Sequence, residues 1–138
     1  MNPPLSSRTQ KTNICGPVGN IEALISMPLQ KKAKAVAIIC HPHPLHHGTM
    51  NNKVITTLAK IFDKIGLATI RFNFRGVGQS GGKYGDSIGE CDDLLAVYLW
   101  AKKQRLSDNY VLAGFSFGSY ICCRSVKKIS PQALITVA

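Results

Sequence analysis

Short apolar runs alternate with helix-like segments along most of this 138-residue chain, and this alternation constrains the fold more than any other feature. The runs Val36–Cys40 and Tyr110–Ala113 carry no charged side chain, as expected for strands buried on both faces of a sheet. Between them, the apolar positions from Val54 to Ile65 repeat at the 3.6-residue period of a helix. Strands that alternate with helices in this way predict an α/β fold with a mostly parallel, twisted sheet and flanking helices.

The two ends of the chain depart from this alternation. Two apolar patches between Ile14 and Ile25 flank the turn-forming residues 16–20, which predicts an N-terminal antiparallel hairpin. Residues 1–11 are polar and are expected to form a flexible lead. The length fits a single domain, residues 1–138. The last apolar run, residues 133–138, reaches the final residue without a turn, so we expect this domain to be incomplete.

Composition excludes several classes of protein. The formal net charge is +10, but the basic residues are scattered over predicted helix faces and ends, which does not favour nucleic-acid binding. The five cysteines form neither a C-x-x-C pair nor an even set, so neither a disulfide framework nor a zinc ribbon is expected. Without a secretory signal pattern or an apolar stretch of ~20 residues, the sequence predicts a soluble cytoplasmic protein with no membrane association.

The pentapeptide Gly114-Phe115-Ser116-Phe117-Gly118 is a G-x-S-x-G motif between a predicted strand and a predicted helix. Such a sharp turn exposes the serine hydroxyl at the edge of a sheet, which makes Ser116 the candidate nucleophile. A serine hydroxyl needs an adjacent base, and the oxyanion that forms after attack needs hydrogen-bond donors. The backbone N–H of Phe117, the residue after the nucleophile, is one expected donor.

All four histidines fall in the segment from His41 to Gly48, directly after the predicted strand Val36–Cys40. This is where a second oxyanion donor is expected. Pro42 and Pro44 have no N–H, which leaves His43 and Leu45 as donors in the tight part of the loop; His43 is favoured. A metal site and a purely structural loop are alternative interpretations, although no cysteine or carboxylate joins the histidines locally. We predict no metal.

A glycine-rich segment begins at Arg75, and Gly76, Gly78 and Gly81 within it match G-x-G-x-x-G. A dinucleotide-binding turn is therefore an alternative function. Two features oppose it: further glycines keep the chain in a loop where a helix should open, and the acidic residues Asp92 and Asp93 fall inside a predicted helix. We predict no cofactor.

Taken in order, these segments resemble the α/β-hydrolase superfamily, and more narrowly the small bacterial hydrolases marked by H-P-H-P, a glycine and M-N-N-K-V. The matching residues are His41–Pro44, Gly48, Met50–Val54, Arg71–Ser80, Gly89–Asp93 and Gly114–Gly118. The resemblance runs from about residue 13 to 138. It implies Ser116 as the nucleophile of a serine hydrolase, with the amides of Phe117 and His43 as the oxyanion hole.

Two departures from the family pattern bear on activity. The family usually carries Gly-Gly where this chain has His47-Gly48, and no Asp, Glu or His follows Ser116, although the family places its triad acid and histidine there. One hypothesis is an esterase-type hydrolase of small-molecule esters whose base is absent from this chain. His41, His43, His46 and His47 are conceivable substitute bases, but their position in the oxyanion loop disfavours them. The alternative is a non-catalytic remnant, or half of a split hydrolase that associates through an exposed sheet edge.

Overall fold

The computed structural model describes residues 8–29 and 32–138, which form a six-stranded sheet with helices on both faces. The strands are β1 (Thr9–Gly16), β2 (Gly19–Ser26), β3 (Val36–Cys40), β4 (Ala68–Phe72), β5 (Tyr110–Phe115) and β6 (Ala133–Val137). The helices are α1 (Lys53–Lys64), α2 (Ile88–Gln104) and α3 (Phe117–Ile129), and a short 3₁₀ turn spans Pro44–His46.

The spatial order of the strands is β1-β2-β4-β3-β5-β6. β1 and β2 are antiparallel, as are β2 and β4, whereas β4, β3, β5 and β6 run parallel to one another. The predicted fold class is therefore confirmed, including the N-terminal hairpin. Because β3 and β5 are adjacent and parallel, the loops that follow them emerge at the same edge of the sheet.

The N-terminal hairpin is longer than its apolar pattern predicts. β1 begins at Thr9, which pairs with Ser26, so the expected flexible lead is wrong for residues 9–11; residues 1–7 of that lead lie outside the described residues. The strand extends this far because backbone hydrogen bonds to β2 stabilise it, while side chains such as Gln10 and Lys11 remain in solvent. Apolar alternation is not required of an edge strand whose outer positions are exposed.

Two hydrophobic layers hold the helices against the sheet. On one face, α2 and α3 cover a cluster that includes Ile38, Phe72 and Leu112. On the other face, α1 packs through Ile55 and Phe62 onto alternate residues of β3, β4 and β5. β3 is buried along its whole length, as its apolar sequence predicts.

The helix ends follow from local side chains. The Asn52 side chain accepts a hydrogen bond from the Val54 N–H at 2.9 Å and so caps α1, and Gly66 follows its C-cap with φ 93°. α3 ends at Ile129, and its C-cap, Ser130, directly precedes Pro131. In the part of the chain that the structure describes, no helix combines the length and apolar character needed to cross a bilayer.

Candidate active site

Ser116 occupies a strained turn between β5 and α3. Its φ of 55° and ψ of −116° lie in a region that residues with a side chain rarely adopt, and the residue is exposed. α3 begins at the next residue, Phe117, so the N-terminal end of that helix lies beside the hydroxyl. The strand, turn and helix predicted from the sequence are all present.

The two glycines of the motif are required by close backbone packing. A Cβ at Gly118 would collide with the carbonyl of Cys40 at the end of β3, and one at Gly114 would collide with the backbone of Gly118. The elbow therefore sits directly against the strand that leads into the histidine loop. This contact fixes the distance between the two halves of the predicted oxyanion hole.

Hydrogen bonds from β6 brace the same turn. The Ser116 N–H donates to the Val137 carbonyl at 2.9 Å. The Ser119 hydroxyl donates to the Gly114 carbonyl at 2.7 Å and also lies 3.1 Å from the Val137 oxygen. These bonds offset the backbone strain at Ser116, which costs on the order of 1–3 kcal/mol.

The structure brings the two residues predicted to supply oxyanion donors into contact. The rings of His43 and Phe117 pack with centroids 4.6 Å apart. Among the described residues, the N–H of neither His43 nor Phe117 donates to a protein acceptor. Two unpaired amide donors next to an exposed serine hydroxyl are suited to a developing negative charge on oxygen.

His41 is buried and has both ring nitrogens occupied. The Phe74 N–H donates to Nε2 at 3.1 Å, which leaves the proton on Nδ1, and Nδ1 lies 2.7 Å from the Pro42 carbonyl. Burial lowers the pKa of His41 to about 4, although the bond to Pro42 acts in the opposite direction. Because a trans peptide is planar, holding the Pro42 carbonyl also fixes the direction of the His43 N–H.

The rest of the histidine loop folds around the His43 carbonyl. That oxygen accepts the N–H groups of His46 and Gly48, both at 3.0 Å. A Cβ at Gly48 would collide with the Pro42 carbonyl, so glycine is required there. His47 has φ 64°, in the left-handed region, which explains why glycine suits this position and why histidine there is strained.

No histidine in the described residues hydrogen-bonds to Ser116. Both ring nitrogens of His41 form hydrogen bonds, one with Phe74 and one with Pro42. His43 Nδ1 accepts the Leu45 N–H at 3.1 Å. Of the four proposed substitute bases, His46 and His47 are exposed. The described residues therefore contain no histidine in hydrogen-bond contact with Ser116.

The glycine-rich segment is a structured loop, and the dinucleotide interpretation is not supported. Gly76 and Gly78 have φ of 79° and 54°, but no helix opens at Gly81; α2 begins only at Ile88. The loop is pinned to the hairpin instead. The Glu22 carboxylate accepts the Gln79 N–H at 2.8 Å and also binds the Asn73 side chain.

An ion pair that the sequence did not predict anchors the start of this loop on α2. The Asp93 carboxylate accepts hydrogen bonds from the Arg75 guanidinium at 2.9 Å and from the Arg75 N–H at 2.9 Å. Asp93 is fully buried, and this hydrogen bonding, opposed by partial desolvation, raises the pKa of Arg75. The motif Gly89–Asp93 contributed to the family resemblance, but the sequence did not indicate that Asp93 pairs with Arg75.

The described residues contain no group of three His, Cys, Asp or Glu side chains that could hold a metal ion. All five cysteines are free, and Cys40 is a buried core residue, as expected. Burial, followed by the neighbouring Cys122, raises the pKa of the Cys40 thiol well above its usual range. This thiol is consequently a poor nucleophile.

One cavity lies beside the histidine loop, and a second cavity lies apart from it. A cavity of about 380 Å³ is bordered by Leu45, Val77 and Tyr84, at the side of the histidine loop. A groove of about 350 Å³ between the hairpin and α1 is lined in part by Thr56 and Arg71 and shares no residue with the candidate site.

The strand order and the strand–turn–helix elbow define a protein of the α/β-hydrolase class. Residues 19–137 match the family model described as X-Pro dipeptidyl-peptidase (S15 family), and the chain belongs to that family. The resemblance noted from the motifs is thus confirmed at the level of the superfamily.

Individual relatives agree with this assignment. The chain is 38% identical over 114 residues to an uncharacterized protein, RP471, of Rickettsia prowazekii, covering 82% of this chain and 48% of that protein. It is 39% identical to XC6422 from Xanthomonas campestris, described as an α/β serine hydrolase without a lid, with a TM-score of 0.88, covering 98% of this chain and 63% of that one. An α/β serine hydrolase homologue from Coxiella burnetii is 50% identical, with a TM-score of 0.88, covering 92% and 61%. The chain thus spans about half to two thirds of its relatives.

Proposed function

We propose that this protein is a serine hydrolase of the esterase type, which transfers an acyl group from a small-molecule ester to Ser116 and then to water. The observation that carries the proposal is the exposed, strained Ser116 at the start of α3, with unpaired amides on Phe117 and on His43, whose ring packs against Phe117. The serine hydrolase descriptions of two solved relatives support it.

In the proposed reaction, Ser116 Oγ attacks the ester carbonyl carbon while a base removes its proton. The carbonyl oxygen becomes an oxyanion that accepts hydrogen bonds from the His43 and Phe117 amides. Collapse of this intermediate breaks the ester bond, and the alcohol leaves with a proton from the protonated base. Water then attacks the acyl-serine by the reverse sequence, which releases the acid and restores the hydroxyl.

The base and its orienting acid are proposed to lie outside the 138-residue sequence. No Asp, Glu or His follows Ser116, and the matched relatives are considerably longer than this chain. We therefore expect slow hydrolysis by the chain alone, because the oxyanion donors still act without a complete triad. A cytoplasmic location remains a prediction of the cysteine pattern.

Hydrolysis of p-nitrophenyl acetate by the wild-type chain and by Ser116→Ala tests the proposal. We expect a weak rate that Ser116→Ala abolishes, whereas His47→Gln, an exposed change in the histidine loop, should leave it nearly unchanged. Equal rates for wild type and Ser116→Ala would exclude Ser116 as the nucleophile.

A second candidate is a non-catalytic half of a split hydrolase, and the free edge of β6 favours it. β6 pairs only with β5 among the described strands, and Leu134 is exposed, so backbone groups and apolar surface are available to a further strand. Size-exclusion chromatography at rising concentration tests this: association should weaken in a Leu134→Lys variant. A monomer at all concentrations would contradict it.

A further inference from the structure

Tyr84, in the glycine-rich loop, contacts the histidine loop and also lies near Phe117, the first residue of α3. Its hydroxyl lies 3.4 Å from His43 Nε2, and the two ring centroids are 5.3 Å apart. Tyr84 also borders the cavity of about 380 Å³ beside the loop. No motif in the sequence assigned a role to this residue.

The direction of the hydrogen bond follows from the other ring nitrogen. The Leu45 N–H donates to His43 Nδ1 at 3.1 Å, so Nδ1 carries the lone pair and the proton of the neutral ring is on Nε2. Nε2–H consequently donates to the Tyr84 hydroxyl oxygen. Partial burial, and then the charges of Glu90 and Asp86, raise the pKa of Tyr84, so this hydroxyl is neutral near pH 7.

The segment that carries Tyr84 is itself fixed. The next residue, Gly85, donates its N–H to the Glu90 carboxylate at 2.9 Å, and the Gly85 carbonyl accepts the Gly89 N–H at 3.1 Å. Glu90 is fully buried at the start of α2. A Cβ at Gly89 would collide with the Arg75 side chain, so the contact between loop and helix is close.

The His43 imidazole is enclosed by three aromatic rings. It stacks on His46 at a centroid distance of 4.8 Å, packs on Phe117 at 4.6 Å and meets Tyr84 at 5.3 Å. Tyr84 is the member of this set that supplies a polar contact to the ring. Rotation of the ring away from Tyr84 would disturb the bond from Leu45 and the backbone at His43.

We propose that Tyr84 is a positioning residue, which holds the His43 imidazole in one tautomer and orientation and thereby fixes the His43 amide for acyl transfer to Ser116. This inference rests on the proposed function. Tyr84 acts through His43 and takes no part in bond making. The Tyr84 hydroxyl proton stays available to water or to a group bound in the adjacent cavity.

Tyr84→Phe removes the hydroxyl and keeps the ring contacts, and Tyr120→Phe is the matched control. Tyr120 is exposed on α3, and its hydroxyl contacts Arg124 at 3.3 Å, away from His43. Long-range ¹H–¹⁵N spectra of the imidazoles report the tautomer and the exchange of Nε2–H. Turnover of p-nitrophenyl acetate reports kcat and KM separately.

In Tyr84→Phe we expect faster exchange of the His43 Nε2–H and a kcat lower by about 3- to 10-fold at unchanged KM, since a misdirected oxyanion donor loses part of its effect. Tyr120→Phe should match wild type both in the exchange of the His43 Nε2–H and in kcat. Unchanged His43 spectra in Tyr84→Phe, or an equal loss of kcat in Tyr120→Phe, would overturn the inference. If wild type shows no Ser116-dependent turnover, the proposed function fails, and the spectra alone still decide whether Tyr84 positions His43.

Discussion

At the scale of single residues, Ser116 combines an exposed hydroxyl with a backbone conformation that suits glycine better than serine. Such strain persists where the surroundings determine it, here the contact of Gly118 with Cys40 and the bond to Val137. A nucleophile held in this way needs no reorientation before it attacks. The strain therefore has a measurable effect on stability.

Ser116→Gly should be more stable than Ser116→Ala by about 1 kcal/mol, because both lack the hydroxyl but only glycine relaxes the backbone. Chemical denaturation measures the difference. Thr57, exposed within α1, is the control: Thr57→Gly should be less stable than Thr57→Ala by about 1 kcal/mol. If the glycine variant is less stable than the alanine variant at both positions, the backbone at Ser116 is not strained.

His41 should make the stability of the protein depend on pH. Burial lowers its pKa from 6.5 to about 4, so the unfolded chain binds a proton more readily than the folded one within this window. The folded protein therefore has its full stability, with respect to His41, above pH 6.5. Its free energy of unfolding falls by on the order of 3 kcal/mol as the pH decreases towards 4.

Free energies of unfolding between pH 4 and 7 check this pH dependence. In His41→Gln the decline below pH 6.5 should be smaller than in wild type, whereas His47→Gln, at an exposed position, should retain it. An undiminished decline in His41→Gln would show that other groups cause it.

At the scale of elements, hydrogen bonds and ion pairs between residues far apart in the sequence fix the positions of the loops. The loop after β4 is joined to α2 through Arg75 and Asp93, and to the hairpin through Glu22 and Gln79. The candidate site depends on this loop because the loop carries Tyr84. Loss of the contacts that anchor this loop should therefore lower the stability of the folded protein.

Asp93→Asn should destabilise the protein by about 3–5 kcal/mol, because it leaves the Arg75 charge without its buried partner. Asp92, the preceding residue, is exposed and gives a matched control: Asp92→Asn should change stability by about 0.5 kcal/mol or less. Thermal unfolding of the two variants compares them directly, and equal losses would refute the anchoring role of Asp93.

Much of the architecture was predictable because its signals are local. The all-apolar β3 predicted a buried strand, the 3.6-residue period between Val54 and Ile65 predicted α1, and the G-x-S-x-G motif predicted the elbow. The start of β1 was missed because strand pairing, not apolar character, stabilises it. Bonds such as Tyr84 to His43 were beyond prediction, since they join loops that approach only after the sheet forms.

At the scale of the whole molecule, the sheet order explains how the candidate site is assembled. β3 and β5 are parallel neighbours, so the histidine loop and the elbow meet at one edge, and the antiparallel hairpin braces the loop after β4. β6 lies at the opposite side of the sheet from β1, with one edge unpaired by the described strands. Ser116, the proposed nucleophile, is thus one strand away from that edge.

Mass spectrometry after incubation with p-nitrophenyl diethyl phosphate measures directly whether Ser116 is the reactive nucleophile of this fold. We expect a single diethylphosphoryl adduct, formed slowly and mapped to Ser116, with none on the exposed Ser130. Ser116→Ala should remain unmodified. An adduct on another residue, or the same extent of labelling in Ser116→Ala, would exclude Ser116 as that nucleophile.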